Sequence, residues 1–204
     1  MYIRFIKRLL DIVLSLLGII ILAIPMLIFS VIIRCEDKGP AIFKQKRIGK
    51  HKKTFMLYKF RSMKLQTPSD VPTHLLENPE SLLLPIGKFI RKHSIDELPQ
   101  LFNILKGDMS IVGPRPALWN QYDLIAERDK YGANDVLPGL TGWAQINGRD
   151  TIEIPEKAKL DGDYVKHLGL AMDLRCILGT VFKVLTSEDV VEGGTGTNGT
   201  NTKN

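Results

Sequence analysis

A chain of 204 residues with 44% hydrophobic residues can bury one sizeable core, with room for a membrane element beside it. Its 28 Lys and Arg against 22 Asp and Glu leave a formal charge of +6, which asks for an anionic partner: nucleic acid, anionic lipid or a phosphate-bearing substrate. The two cysteines, Cys35 and Cys176, are far apart, and the 4 histidines form no HxxxH pair, which argues against a disulfide framework and against zinc, and for a reducing cytoplasm.

The run Ile12–Ile33 carries no charge. A spanning helix needs roughly 20 apolar residues, so a transmembrane anchor is the simplest reading; a signal peptide fits less well, because no small-residue cleavage site follows. Two features favour a helix that enters and returns. Pro25 cannot donate to the carbonyl of Ile21 and should kink the helix. Both flanks are basic, with Arg4, Lys7 and Arg8 before the run and Arg34, Lys38, Lys44, Lys46 and Arg47 after it. Lys and Arg stay on the cytoplasmic side, and only re-entry keeps both flanks there. Proline also occurs in true spanning helices, so both topologies stay open.

Beyond the membrane run, Ala41–Ile48 and Thr54–Met63 flank a basic loop and read as a β-hairpin, with Met56, Tyr58 and Phe60 alternating with Leu57, Lys59 and Arg61. Residues 67–79 are rich in Pro, Ser, Asp and Asn and read as a surface loop. Ser81–Lys92 suggests a short helix interrupted or started near Pro85. Leu98, Leu101, Phe102 and Leu105 fall on one face of a further helix, which Gly107 should stop. Ser94 with Glu97 forms a capping-box pattern, whereas Asp96 as the cap leaves Pro99 harmless in the first turn; the later start is preferred. Glu127–Asn134 should be exposed, Pro138–Arg149 should be a Gly-rich loop or short strand, and Leu170, Leu174, Ile177, Leu178, Val181 and Leu185 should form one face of a C-terminal helix. The fold class expected is α+β and mainly helical. Its domains would be a membrane helix over 1–34, a catalytic domain over 35–191 and a disordered tail over 192–204.

The adjacent carboxylates Asp96 and Glu97 are the leading chemical feature. Acidic residues are common in a first helical turn, where they offset the macrodipole. Here, however, Arg91, Lys92 and His93 precede the pair and Gly113-Pro-Arg-Pro116 follows it. Two prolines stiffen the backbone of Arg115, which prepares its guanidinium for phosphate, although a rigid surface turn would look the same. Lys59 and Arg61 share one face of a strand and could meet phosphate, or solvent. Pro138–Arg149 offers backbone N–H groups, Thr141, the amide of Gln145 and Arg149; it could hold a nucleotide or be an ordinary turn.

Taken in order, Lys59-Phe-Arg-Ser-Met63, Ser94-Ile-Asp-Glu-Leu-Pro-Gln100, Leu105-Lys-Gly-Asp-Met-Ser110, Gly113-Pro-Arg-Pro116, Pro138-Gly-Leu-Thr-Gly142 and Asn147-Gly-Arg149 resemble the bacterial sugar transferase family, the monotopic phosphoglycosyl transferases. The resemblance runs from the N-terminus to about Val191. It implies a re-entrant helix broken at Pro25, with Ile24 standing where some members have Ser, and interfacial helices around the active site. It implies transfer of a sugar phosphate from a UDP-sugar to a polyprenyl (undecaprenyl) phosphate at the cytoplasmic face of the bacterial inner membrane. Asp96 would be the nucleophile and a ligand for Mg²⁺, with Glu97 its partner. Lys59, Arg61, Arg91, Gly113, Arg115, Thr141, Gln145 and Arg149 would bind substrate. The sugar and the pathway are not implied.

Two other functions compete. A glycosyltransferase would release UDP from the same donor. A basic membrane adaptor would bind anionic lipid or nucleic acid, but the cations are scattered rather than in a tract. Aromatics make up only 7% of the chain, which leaves few platforms for bases, so no nucleic-acid partner is expected.

Overall fold

The computed structural model describes residues 2–68, 78–148 and 152–186. Arg149, the 192–204 tail and most of the 67–79 loop lie outside the described residues. Within them the chain is mainly helical, with two small two-stranded sheets.

Helix α1, Lys7–Glu36, is the one helix among the described residues long and apolar enough to cross a membrane. At 30 residues it is about 45 Å long. The chain stays helical through Pro25, so the expected proline break does not end the helix. Its sequence divides into two faces at helical spacing. Val13, Leu17, Ile20, Ile24, Leu27 and Val31 form an exposed apolar stripe, with Ile24 72% exposed. Asp11, Ser15, Met26 and Ile33 are buried on the opposite side, and Ile19, Leu22 and Phe29 pack against the domain core.

Both ends of α1 are fastened to the rest of the molecule. At the N-terminal end Lys7 Nζ lies 2.8 Å from Asp173 Oδ2, and Arg8 donates to the carbonyls of Ile104 and Leu105. Asp11 Oδ1 accepts from the Ile111 N–H at 2.9 Å and from the Ser110 hydroxyl at 3.0 Å. At the other end Arg61 Nη1 donates to Asp37 at 2.7 Å, and Glu36 accepts from the Ile86 N–H.

Strands β1, Ile42–Ile48, and β2, Thr54–Phe60, form the expected antiparallel hairpin, running from the Ile42↔Phe60 pair to Ile48↔Thr54. Leu57 and Phe60 enter the core. Pro85 starts helix α2, Pro85–Lys92, where its missing N–H costs nothing. A 3₁₀ turn over Ile95–Glu97 then leads to helix α3, Gln100–Lys106. Strands β3, Ser110–Val112, and β4, Gly139–Thr141, pair in parallel, with helix α4, Tyr122–Asp129, between them in sequence. Helices α5, Trp143–Ile146, α6, Ile154–Lys166, and α7, Leu170–Thr186, complete the fold.

The structure corrects several local expectations. Pro99, rather than Ser94 or Asp96, occupies the N-cap position of α3, and the dyad sits one turn earlier in the 3₁₀ segment. The inward face of α3 is Leu101, Asn103 and Ile104, while Phe102 is 44% exposed; Asn103 faces inward because its amide bonds the backbone of Met56 and Tyr58 on β2. The expected C-terminal helix is present as α7, with Leu170, Leu174, Leu178 and Val181 exposed, Met172, Asp173 and Cys176 buried, and Ile177 packed against the core. Glu127–Asn134 is not uniformly exposed either, since Arg128, Ala133 and Asn134 are buried.

Candidate active site

The site begins at Ser94. Its backbone is left-handed, with φ of 54°, which turns the chain sharply from α2 into the 3₁₀ segment. That turn carries Asp96 and Glu97 inward, and each retains only 8% exposure. Two cations from different parts of the chain meet Glu97. Lys59 reaches across from β2, with Nζ 3.0 Å from Glu97 Oε1, and Arg115 Nη2 lies 2.7 Å from the same oxygen. Lys59 Nζ is also 3.6 Å from Asp96 Oδ2, beyond a normal hydrogen bond.

The two carboxylates therefore differ. Glu97 is anchored between an ammonium and a guanidinium. Asp96 is buried beside these charges without an equally close ion pair. Burial pushes its carboxyl above the ordinary carboxylate range and Glu97 adds to that shift, while Lys59, Arg91 and Arg115 oppose it.

Asp96 and Glu97 line different cavities. Glu97 lines one of about 270 Å³, bounded by Arg115, Thr141, Gln145 and apolar side chains that include Leu98, Ile177 and Val181. Asp96 lines one of about 180 Å³, bounded by Gln45, Lys59, Arg61, Thr67 and Arg91. Arg115 and Arg91 thus belong to different cavities, one for each carboxylate of the dyad.

The remaining sequence-derived residues divide by location. Arg61 follows β2 and is 4% exposed; its guanidinium clamps Asp37 at the end of α1, and the residue also lines the smaller cavity. Gly113 has a packing role: a Cβ there would collide with the Leu137 carbonyl beside β4. The Thr141 hydroxyl bonds that of Thr180 on α7. Gln145 Nε2 donates to the Leu140 carbonyl at 2.9 Å, and its Oε1 is buried with no hydrogen-bond partner. Ile24 and Pro25 lie in the middle of α1. Arg149 lies outside the described residues.

Sequence reasoning missed Arg128 and Asp161. Arg128 on α4 is 3% exposed; its Nη2 lies 2.6 Å from Asp161 Oδ2 on α6, and its Nη1 donates to the Arg115 carbonyl at 2.9 Å. This buried pair fixes the backbone of the arginine that holds Glu97. Burial raises the Asp161 carboxyl, with Arg128 opposing it. Arg128 sits in the charged run Glu127-Arg-Asp-Lys130, which gives no sign that one member turns inward.

No cluster of three or more His, Cys, Asp or Glu side chains suited to a metal occurs among the described residues. The donor set is poor for a metal caged by protein alone. It suits Mg²⁺ shared with a phosphorylated ligand, because that hard cation keeps waters and commonly takes one or two carboxylates.

These features define a carboxylate-centred, cation-lined site in a molecule whose long apolar helix is consistent with membrane association. The chain belongs to the bacterial sugar transferase family, whose model matches residues 2–187. It is 43% identical over 184 residues to the uncharacterized sugar transferase EpsL of Bacillus subtilis, covering 90% of this chain and 89% of EpsL. It is 37% identical to the undecaprenyl-phosphate galactose phosphotransferase of Salmonella typhimurium, covering 89% of this chain and 41% of that protein. It is 38% identical to the UDP-glucose:undecaprenyl-phosphate glucose-1-phosphate transferase of Escherichia coli, covering 88% of this chain and 40% of that protein. The chain thus spans nearly all of EpsL but well under half of the two transferases named for a sugar.

Proposed function

We propose that the protein transfers a sugar phosphate from a UDP-sugar to a polyprenyl phosphate at the cytoplasmic face of the bacterial inner membrane. The observation that carries this reading is the asymmetry of the dyad: Glu97 is held by Lys59 and Arg115, while Asp96 borders a cation-lined cavity. The named relatives support the substrate classes, since their names specify undecaprenyl phosphate acceptors and, for the Escherichia coli protein, a UDP-glucose donor.

In this mechanism an Asp96 oxygen attacks the sugar-side phosphorus of the donor. The phosphorus–oxygen bond to UMP breaks, and UMP leaves with the bonding electrons. An oxygen of the lipid phosphate then attacks the aspartyl phosphosugar. Its bond to Asp96 breaks, which restores the carboxylate and yields a lipid diphosphosugar. Glu97 keeps Lys59 and Arg115 in place, and Arg91 offsets charge on the donor. This matters because a carboxylate meeting a phosphate at 4 Å is repelled by roughly 4 kcal/mol per charge pair at an effective dielectric near 20. Asp96 is the residue that would hold Mg²⁺, and the cation, when bound, would supply further neutralisation of phosphate charge. A chelator should accordingly stop turnover, with rescue by added Mg²⁺; full activity in metal-free buffer would remove the cation from the scheme.

The fastening of α1 at both ends supports a monotopic arrangement. Lys7 and Arg8 at one end and Glu36 and Asp37 at the other bind the same domain. A spanning helix would have to separate those ends across the bilayer and break one set of contacts. The exposed stripe on α1 would then meet lipid along one side of the helix while the domain remains on the cytoplasmic face.

The nucleotide released tests the reaction. Incubation with UDP-sugars and polyprenyl phosphate should yield UMP. Release of UDP would assign a glycosyltransferase, and release of neither across a broad donor panel would favour an adaptor.

A further inference from the structure

We infer that Gln45 and Arg47 on β1 are positioning residues of the site: they hold the backbone beside Arg115 so that its guanidinium meets Glu97. The inference rests on the transferase reading above and adds the residues that set one of its cations. In the sequence Arg47 is one of the basic residues that follow the membrane run. In the fold its side chain turns toward the segment Gly113-Pro-Arg-Pro116. Its Nη1 donates to the Pro116 carbonyl, 69 positions away in sequence, at 2.9 Å. Its Nε and Nη2 both donate to Gln45 Oε1, at 3.0 and 2.6 Å, and Gln45 is buried. A buried amide oxygen that takes two N–H groups of one guanidinium fixes the plane of the fork, and the remaining arm is thereby aimed at the carbonyl.

The need for such a hold follows from the prolines. Pro114 and Pro116 have no N–H, so at those residues the backbone can be fastened only through its carbonyls. Four successive carbonyls accept, each at 2.9 Å: Pro114 from the Gly139 N–H, Arg115 from Arg128 Nη1, Pro116 from Arg47 Nη1 and Ala117 from the Ile48 N–H. The outer two are backbone bonds to β4 and β1. The inner two come from arginine side chains, and they fix the two peptide planes that follow the Arg115 Cα. Each of these arginines has its own anchor, Asp161 for Arg128 and Gln45 for Arg47. A long side chain keeps its tip in place only if its root is fixed. Arg115 Nη2 lies 2.7 Å from Glu97 Oε1, and a misplacement of about 1 Å in a catalytic constellation can cost on the order of 10²-fold in rate. Arg47 lines the Asp96 cavity, whereas Arg115 lines the Glu97 cavity. The path from Arg47 through Pro116 to Arg115 thus joins the two sides of the dyad.

The test is a kinetic double-mutant cycle on the full-length enzyme. It measures kcat and KM for UMP release from the best of a panel of UDP-hexoses, with kcat expressed per folded molecule from circular dichroism. Arg47→Ala should lower kcat by about tenfold with KM for the donor within about twofold, as loss of a positioning contact does. In an Arg115→Ala background the same change should lower kcat by less than about twofold further, because the side chain it positions is gone. Arg47→Lys keeps the charge without the fork and should recover little. Gln45→Leu should lose turnover in the same way, and Gln45→Glu, which keeps an acceptor for the fork, should recover most of that loss. A merely structural role would lower the unfolding midpoint of Arg47→Ala and leave kcat per folded molecule at the wild-type value; that result would overturn the proposal. So would a rise in KM alone, which would make Arg47 a donor contact, or losses that multiply in the double variant, which would show that it acts independently of Arg115. If Arg47→Ala does not fold, the cycle is run with Arg47→Lys and Gln45→Leu and read in the same way. Absence of UMP release from the wild-type enzyme across the panel would overturn the transferase reading, and this proposal with it; wild-type turnover with unaltered kcat in the variants sinks this proposal alone.

Discussion

At the scale of single residues, the site depends on how charges are shared. Arg115 and Lys59 both spend a contact on Glu97 Oε1. Arg115→Ala should leave Glu97 with one cation and lower kcat/KM by about 10²-fold, the usual size for loss of one positioned donor to transition-state charge. Arg115→Lys should recover only part, because a point charge cannot reproduce the guanidinium fork; wild-type kinetics in either variant would place Arg115 outside the reaction. Further from the dyad, Arg128 and Asp161 form a buried pair. Removing one partner strands the other charge, so Arg128→Ala or Asp161→Ala should each cost about 3–5 kcal/mol in denaturant unfolding. Replacing both with apolar side chains of similar volume should recover most of that loss. Additive losses would mean that the pair is not coupled. The double variant should still have impaired turnover, because the bond from Arg128 to the Arg115 carbonyl is gone.

At the scale of elements, local pattern was legible wherever one physical signal dominated. The β-hairpin follows from alternation on either side of a basic loop, and Gly107, with φ of 97°, ends α3 as glycine should. The start of α3 was not legible. The capping-box pattern and the Asp96 cap are both local signals, and the left-handed Ser94 backbone overrides them by forming a separate 3₁₀ turn. The period of α7 was readable but its orientation was not. An apolar stripe shows that a face avoids water without showing whether it meets protein or some other apolar medium, and here Asp173 turns inward because Tyr2, Lys7 and Tyr164 all donate to it. Gly113 looked like part of a ligand loop, yet its position beside β4 requires the missing side chain. Gly113→Ala should therefore destabilise the fold by at least about 1–3 kcal/mol, the usual cost of overpacking. Normal stability with weakened substrate binding would return Gly113 to a ligand-binding role.

At the scale of the whole molecule, α1 packs as an integral part of the domain that carries the site, and its apolar length is consistent with membrane association. Buried Met26 and Ile33 join Phe60 and Ile90 in one core cluster, so the expected boundary after residue 34 does not separate two packing units. The long uncharged run was legible in the sequence; its fastening at both ends depends on Asp173, Ser110 and Arg61, whose distant partners no local pattern reveals. Topology can be tested with Phe5→Cys, since Phe5 is exposed near the N-terminus. Cys35 is exposed and should be replaced, whereas Cys176 is buried and can remain. A membrane-impermeant thiol reagent should leave the introduced thiol unlabelled in intact cells and label it after lysis. External labelling would establish a spanning helix and contradict the monotopic arrangement.

The most direct test of the central claim is the mass of the protein after incubation with a UDP-hexose in the absence of any lipid acceptor. The expected result is a hexose-phosphate adduct on the peptide containing Asp96, formed with release of UMP, absent from Asp96→Asn, and discharged when polyprenyl phosphate is added. Turnover that requires both substrates together, with no adduct at any time, would contradict Asp96 as the nucleophile.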